Sequence, residues 1–208
     1  MKVVICTMPM RAANEVKAIV YPVDGNKAIE YDKAVRSPVN AVLAKTLKKG
    51  EELRVIYIMT TGENSCCEDN KKNFIEELEG INTEIGAVLS YDTVEMEFLA
   101  TKGTYNKLIT DLTEKIPENA ELYIDITYGS KPEILSLFCA LRFVEEFHNA
   151  IVQYFIYGKL EFNRITRKEE NPMIFDITSL YYLFKLIGSI DNADAEKASN
   201  ILKDFFAL

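Results

Sequence analysis

Strand-like and helix-like stretches take turns along this chain from Lys2 to Tyr157, and that alternation constrains the fold more than any single motif does. Lys2 to Thr7 is a compact apolar run of strand type that ends at Met8-Pro9-Met10. Val16 to Val23 and Ala28 to Tyr31 flank Asp24-Gly25, a dipeptide that signals a hairpin turn. Ser37-Pro38 opens a helix through Lys48, with Val39, Val42, Leu43 and Leu47 on one face. Leu53 to Met59 reads as a second buried strand and Asp69 to Glu79 as a helix striped by Phe74, Ile75 and Leu78. Thr93 to Leu99 alternates as a strand, and Thr101-Lys102-Gly103-Thr104 leads into a helix ending near Lys115. Glu121 to Tyr128 is the next strand, followed by a helix from Lys131 to about His148 and a strand from Ala150 to Tyr157.

Past that point the pattern changes. Gly158-Lys159 predicts a turn into Leu160 to Thr166, and Arg167 to Pro172 reads as a charged loop. After Ile174 to Ile177 come two amphipathic helical segments, Leu180 to Ile190 and Ala193 to Phe206. Strand–helix alternation favours a Rossmann-like, mostly parallel sheet with helices on both faces. The expected organisation is one such domain over residues 1–176 and a short C-terminal helical appendage over 177–208, too small for a core of its own.

Composition excludes several functions. Hydrophobic residues make up 48% and charged residues 27% of the chain, as in an ordinary globular protein. A net charge of −8 argues against a large electrostatic grip on DNA or RNA, though backbone N–H groups at a helix N-terminus can hold a small phosphorylated ligand. No apolar run approaches the ~20 residues that span a bilayer. MKVVICTMPM is too short in its apolar part for a signal peptide, so a cytoplasmic protein without a membrane partner is expected. Cys6 and Cys139 sit in apolar segments as small buried hydrophobes, and adjacent Cys66-Cys67 lacks metal or redox spacing. With one histidine in the chain, neither a metal site nor another cofactor is expected.

Open parallel sheets bind ligands beyond the carboxyl ends of their strands. The junctions there are Thr7-Met8-Pro9-Met10, Thr60-Thr61-Gly62-Glu63-Asn64, Thr101-Lys102-Gly103-Thr104 and Thr127-Tyr128-Gly129-Ser130-Lys131. None is a phosphate-binding P-loop, and no GxGxxG is present. The last junction, inside LYIDITYGSKPE, carries the most chemistry. Ser130 and Glu133 form an S-x-x-E capping box, so the helix begins at Lys131 with Pro132 in its first turn. Its N–H groups and positive dipole end would face the crevice, Gly129 lets a ligand approach the backbone, and Lys131 adds a charge. A capped turn with a solvated lysine has the same local pattern.

The segment Ile124-Asp125-Ile126-Thr127-Tyr128-Gly129-Ser130-Lys131 resembles the D-x-T-H-G-x-R signature of CARF domains, the CRISPR-associated Rossmann folds of type III CRISPR systems. The first strand with its Thr-containing loop, the strand Leu53 to Thr61, and Phe175-Asp176-Ile177-Thr178 also have counterparts. Tyr128 stands where the signature has histidine, and Lys131 where it has arginine, which keeps the charge but loses the bidentate fork. The resemblance implies a homodimer that binds a cyclic oligoadenylate, cyclic tetra-adenylate first, across its two-fold axis. The ligand would meet Thr7, Met8, Pro9, Met10, Thr60, Thr61, Gly62, Asn64, Thr127, Tyr128, Gly129, Ser130 and Lys131, with the methionines lining an adenine pocket. Asp125 is expected to hold the loop by accepting backbone N–H bonds.

The resemblance leads to two function classes. A stand-alone CARF protein can be a ring nuclease, in which the ribose 2′-OH attacks its own 3′-phosphate and leaves a 2′,3′-cyclic phosphate without metal. Lys131 would stabilise the phosphoryl charge while Ser130 and Thr7 orient the reacting groups, and no residue stands out as a general base. The alternative is a non-catalytic sensor, sponge or regulator acting on a separate CRISPR effector. An unrelated Rossmann-like enzyme using a small nucleotide is a third reading. Arg142 and His148 match the R-x4-6-H spacing of HEPN ribonucleases, but about 600° of helical rotation separates them, so they do not share a face.

Overall fold

A computed structural model describes residues 1–62, 65–97, 101–163, 168–190 and 194–206. The strands are β1 (Lys2–Thr7), β2 (Val23–Asp24), β3 (Glu52–Thr61), β4 (Val88–Glu97), β5 (Glu121–Asp125), β6 (Ile151–Asn163) and β7 (Lys168–Asp176). The helices are α1 (Pro38–Thr46), α2 (Cys67–Ile85), α3 (Lys102–Lys115), α4 (Lys131–Phe147), α5 (Thr178–Ser189) and α6 (Ala195–Phe206). One sheet runs in the order β2-β7-β6-β5-β1-β3-β4. From β6 to β4 all pairs are parallel, and β7 joins β6 antiparallel.

Burial explains the layering. Both faces of β1 are covered, so its residues read as a continuous apolar run rather than an alternation. Val4 and Cys6 meet α1 and α2 through Val39, Val42, Leu43, Phe74 and Leu78. Val3 and Ile5, one step out of phase, belong to the core under α3 and α4 with Leu112, Leu137, Ala140, Leu141 and Val144. Helices therefore cover both faces, and the architecture is the Rossmann-like α/β fold that the alternation predicts. Tyr181 of α5 is buried in the second core, and its neighbour Tyr182 donates its hydroxyl to Val152 O at 2.6 Å.

The chain moves outward from β1 to β3 and β4, then returns to place β5 on the other side of β1. That reversal is a topological switch point, and it puts the loops after β1 and β5 side by side at the carboxyl edge.

Four local readings are corrected. Asp24-Gly25 makes no hairpin: Val23 and Asp24 pair in parallel with Ile174 and Phe175, while Gly25 leads into a short 3-10 turn over Lys27–Ile29. Gly158-Lys159 is not a turn but the middle of β6, and Lys168 to Pro172 is part of β7, so the predicted loop is largely the second arm of an antiparallel pair. A glycine is needed at 158 because a Cβ there would lie 2.4 Å from Pro38 Cγ and 2.8 Å from Thr127 Oγ1. Cys139 is exposed, unlike Cys6. Among the described residues, no helix is long and apolar enough to cross a membrane.

Candidate ligand cleft at the switch point

β5 ends in a tightly bonded joint. Asp125 is buried, and its Oδ1 accepts from Thr127 N at 2.8 Å and Thr127 Oγ1 at 2.5 Å. Its Oδ2 accepts from Val39 N at 3.2 Å, in the first turn of α1, where a carboxylate satisfies an otherwise unpaired donor. Thr127 Oγ1 in turn accepts from Gly158 N at 2.8 Å. Asp125 thus holds the loop as expected, and burial pushes its carboxyl upward against the lowering effect of these donors. Thr127 serves the joint and is not among the residues lining either cleft described below.

Beyond the joint the chain turns through Gly129 at φ +104°, a conformation that strains any L side chain. A Cβ there would also stand 3.2 Å from the Glu133 carboxyl and from Thr7 Cγ2. Ser130 caps α4 as predicted: Ser130 Oγ accepts from Glu133 N at 3.4 Å, and Glu133 Oε2 accepts from Ser130 N at 3.0 Å. The serine uses only a lone pair in this cap, so its hydroxyl hydrogen can be donated outward. Glu133 is almost wholly buried, and that burial raises its carboxyl above the ordinary range.

These groups border a cleft of about 350 Å³ lined by Met8, Pro9, Met10, Thr60, Met96, Glu97, Tyr105, Tyr128, Gly129, Ser130 and Glu133. The loop carrying Met8 to Met10 is held from α2, where Asn70 Nδ2 donates to Pro9 O and Arg11 O, both at 2.8 Å. The Arg11 guanidinium stands 5.9 Å from the centroid of the Tyr128 ring. A second cleft of about 460 Å³ shares Met96 and Glu97 and continues along the edge past Thr61, Gly103 and Lys107. Lys107 is paired with Asp111 at 2.6 Å.

Seven of the predicted residues therefore line one cleft: Met8, Pro9, Met10, Thr60, Tyr128, Gly129 and Ser130. Thr61 borders the neighbouring cleft and Gly62 comes directly after it at the end of β3, while Asn64 lies outside the described residues. Thr7 is buried beside Gly129, and its Oγ1 has no hydrogen-bond partner among the described residues. Lys131 is exposed at the first position of α4 and is not among the residues lining either cleft. Sequence reasoning missed Met96, Glu97 and Tyr105 as cleft residues, and it saw Glu133 only as a cap. Among the described residues, no group of three or more His, Cys, Asp or Glu is placed to hold a metal. His148 caps the far end of α4, with Nδ1 at 2.9 Å from Ile116 O.

The fold and this cleft define a Rossmann-like α/β domain with an apolar, partly acidic crevice at its topological switch point. No protein-family model matches the chain, and no curated protein matches it.

Proposed function

We propose that this protein binds a cyclic oligoadenylate, cyclic tetra-adenylate first, as a homodimer with the function of a CARF domain in type III CRISPR signalling. One observation carries the reading: a capped helix N-terminus with an exposed glycine backbone opens into a cleft walled by Met8, Met10, Met96, Tyr105 and Tyr128. A phosphodiester suits the first feature, because the positive dipole end of α4 favours an anion, although the cap itself takes the Ser130 and Glu133 N–H groups and Pro132 has none. A flat base suits the second, since methionine and tyrosine offer polarizable and aromatic surface. The acidic groups Glu97 and Glu133 suit a base bearing an exocyclic amine better than another phosphate.

Binding without turnover is the reading we favour over ring opening. Ser130 lines the cleft, but Thr7 lies buried beneath Gly129 and Lys131 stands outside the cleft lining, so the three proposed catalytic groups do not converge on one point of the cleft. The bound messenger would then regulate a separate effector. Mixing the protein with labelled cyclic tri-, tetra- and hexa-adenylate in EDTA, then measuring binding and products, tests both parts. Cyclic tetra-adenylate should bind and stay intact over hours. No binding of any ring would overturn the ligand assignment, and 2′,3′-cyclic-phosphate products would replace the sensor reading with the ring nuclease.

A further inference from the structure

Two of the residues lining the cleft are acids, and they are held differently. Glu97, at the end of β4, is exposed, whereas Glu133, in the first turn of α4, is only 3% exposed. One oxygen of Glu133, Oε2, accepts from Ser130 N at 3.0 Å and closes the cap. The other, Oε1, takes no hydrogen bond among the described residues. Gly129 keeps this carboxyl uncovered, since a Cβ there would stand 3.2 Å from its Cδ and Oε2. Capping alone does not require a carboxylate, because glutamine closes the same box. A buried acceptor without a donor is costly, so a ligand that brings a donor gains most there. Glu133 lies two residues past the segment Ile124 to Lys131 that resembles the CARF signature, so that resemblance assigns it no role.

We infer that Glu133 is the specificity-determining residue of the cleft: its Oε1 accepts a hydrogen bond from the exocyclic amine of adenine and selects against bases without that amine. This rests on the cyclic oligoadenylate reading above and names the residue that reads the base. A carboxylate only accepts, and even a protonated carboxyl keeps an accepting oxygen, so the partner of Oε1 is a donor. Phosphate oxygens offer none. An ammonium or guanidinium would leave its other donors facing Met8, Met10 and Met96, which cannot pair them. The adenine amine instead sits on a neutral, flat ring that the methionines and Tyr105 can cover. Exposed Glu97 merely exchanges a water for a ligand bond, so it adds less to the choice. A site with a buried acceptor rejects an analogue lacking the donor more strongly than an apolar pocket does.

Equilibrium titration of the full-length protein with two rings tests this. One is cyclic tetra-adenylate, and the other is the same ring built from purine riboside, which lacks only the 6-amino group. The wild type should bind the first about thirtyfold more tightly. In Glu133→Gln the amide oxygen can stay on Ser130 N–H while the NH2 group turns to the cleft, so the cap persists and a donor replaces the acceptor. The preference should then vanish. Glu133→Met, which removes both oxygens, should also bind the two rings alike. A residue that only caps the helix would shift both affinities together and leave their ratio unchanged. Equal wild-type affinities, or a ratio kept in either variant with a wild-type circular dichroism spectrum, would overturn the assignment while leaving the ring as ligand. A ratio lost in Glu97→Gln and kept in Glu133→Gln would move the contact to Glu97 and overturn it equally. A wild type that binds neither ring would discard the ligand and this assignment together.

Discussion

Asp125-Ile126-Thr127 and Asp176-Ile177-Thr178 are the same three residues folded into the same joint on opposite sides of β6, where both aspartates pair with Ile156. In each, one carboxylate oxygen accepts from the N–H and the hydroxyl of the threonine two residues on. Each threonine oxygen then accepts a backbone N–H of β6, from Gly158 in the first case and Phe155 in the second, both at 2.8 Å. The two joints lead to different places. The first leaves a parallel strand and carries Tyr128-Gly129-Ser130-Lys131 over the carboxyl edge into α4, while the second leaves an antiparallel strand and runs straight into α5. The D-x-T element is thus a way of fastening a strand end, and the cleft-lining groups are the residues after it, Tyr128, Gly129 and Ser130. Asp125 also carries a load that Asp176 does not, the Val39 N–H at the start of α1.

The largest effect separating the joints should come from Gly158→Ala, which presses a methyl group into Pro38 and Thr127. It should cost about 3 kcal/mol by urea unfolding, the upper range for overpacking. No effect would show that the first joint is looser than its distances imply. Asp125→Ala strands three donors and should cost about 2.5 kcal/mol, against about 1 kcal/mol for Asp176→Ala, whose joint lacks the helix contact. Equal losses would erase the distinction between them.

Glu133 gives the first joint a pH signature. Its folded carboxyl is raised by burial, so the folded state holds that proton more tightly than the unfolded chain does. This contribution to stability is complete below the ordinary carboxylate value and is lost as pH rises through the raised one. Glu133→Gln should flatten that part of the stability profile while Asp125, shifted the same way, keeps its share. An unchanged profile would remove Glu133 from the account. Smallest in stability is Lys131→Ala, expected within about 0.5 kcal/mol of wild type at this exposed position, with cyclic tetra-adenylate binding weakened about tenfold.

Local chemistry made much of this fold readable. β1, β3 and α4 announce themselves through apolar runs and the Ser130–Glu133 cap, whose signals lie within a few residues. Distant pairings were not readable. Asp24-Gly25 looks like a hairpin, yet Val23-Asp24 pairs with Ile174-Phe175, far along the chain. Gly158 looks like a turn because the Pro38 ring that demands a small residue there comes from α1, more than a hundred residues earlier in the chain. In the cleft, Gly129 and Ser130 were legible from their own turn, whereas Met96 and Tyr105 arrive from β4 and α3 through tertiary packing. Exposed Lys131 was legible as a charge, but that it lines neither cleft follows only from the packed structure.

Amide hydrogen exchange with and without cyclic tetra-adenylate compares the two joints in one experiment. Binding at the switch point predicts slowed exchange at Met8, Met10 and Tyr128 to Glu133, with Asp176 to Leu180 unchanged. Protection at the second joint alone, or at neither, would contradict a ligand seated at the N-terminus of α4.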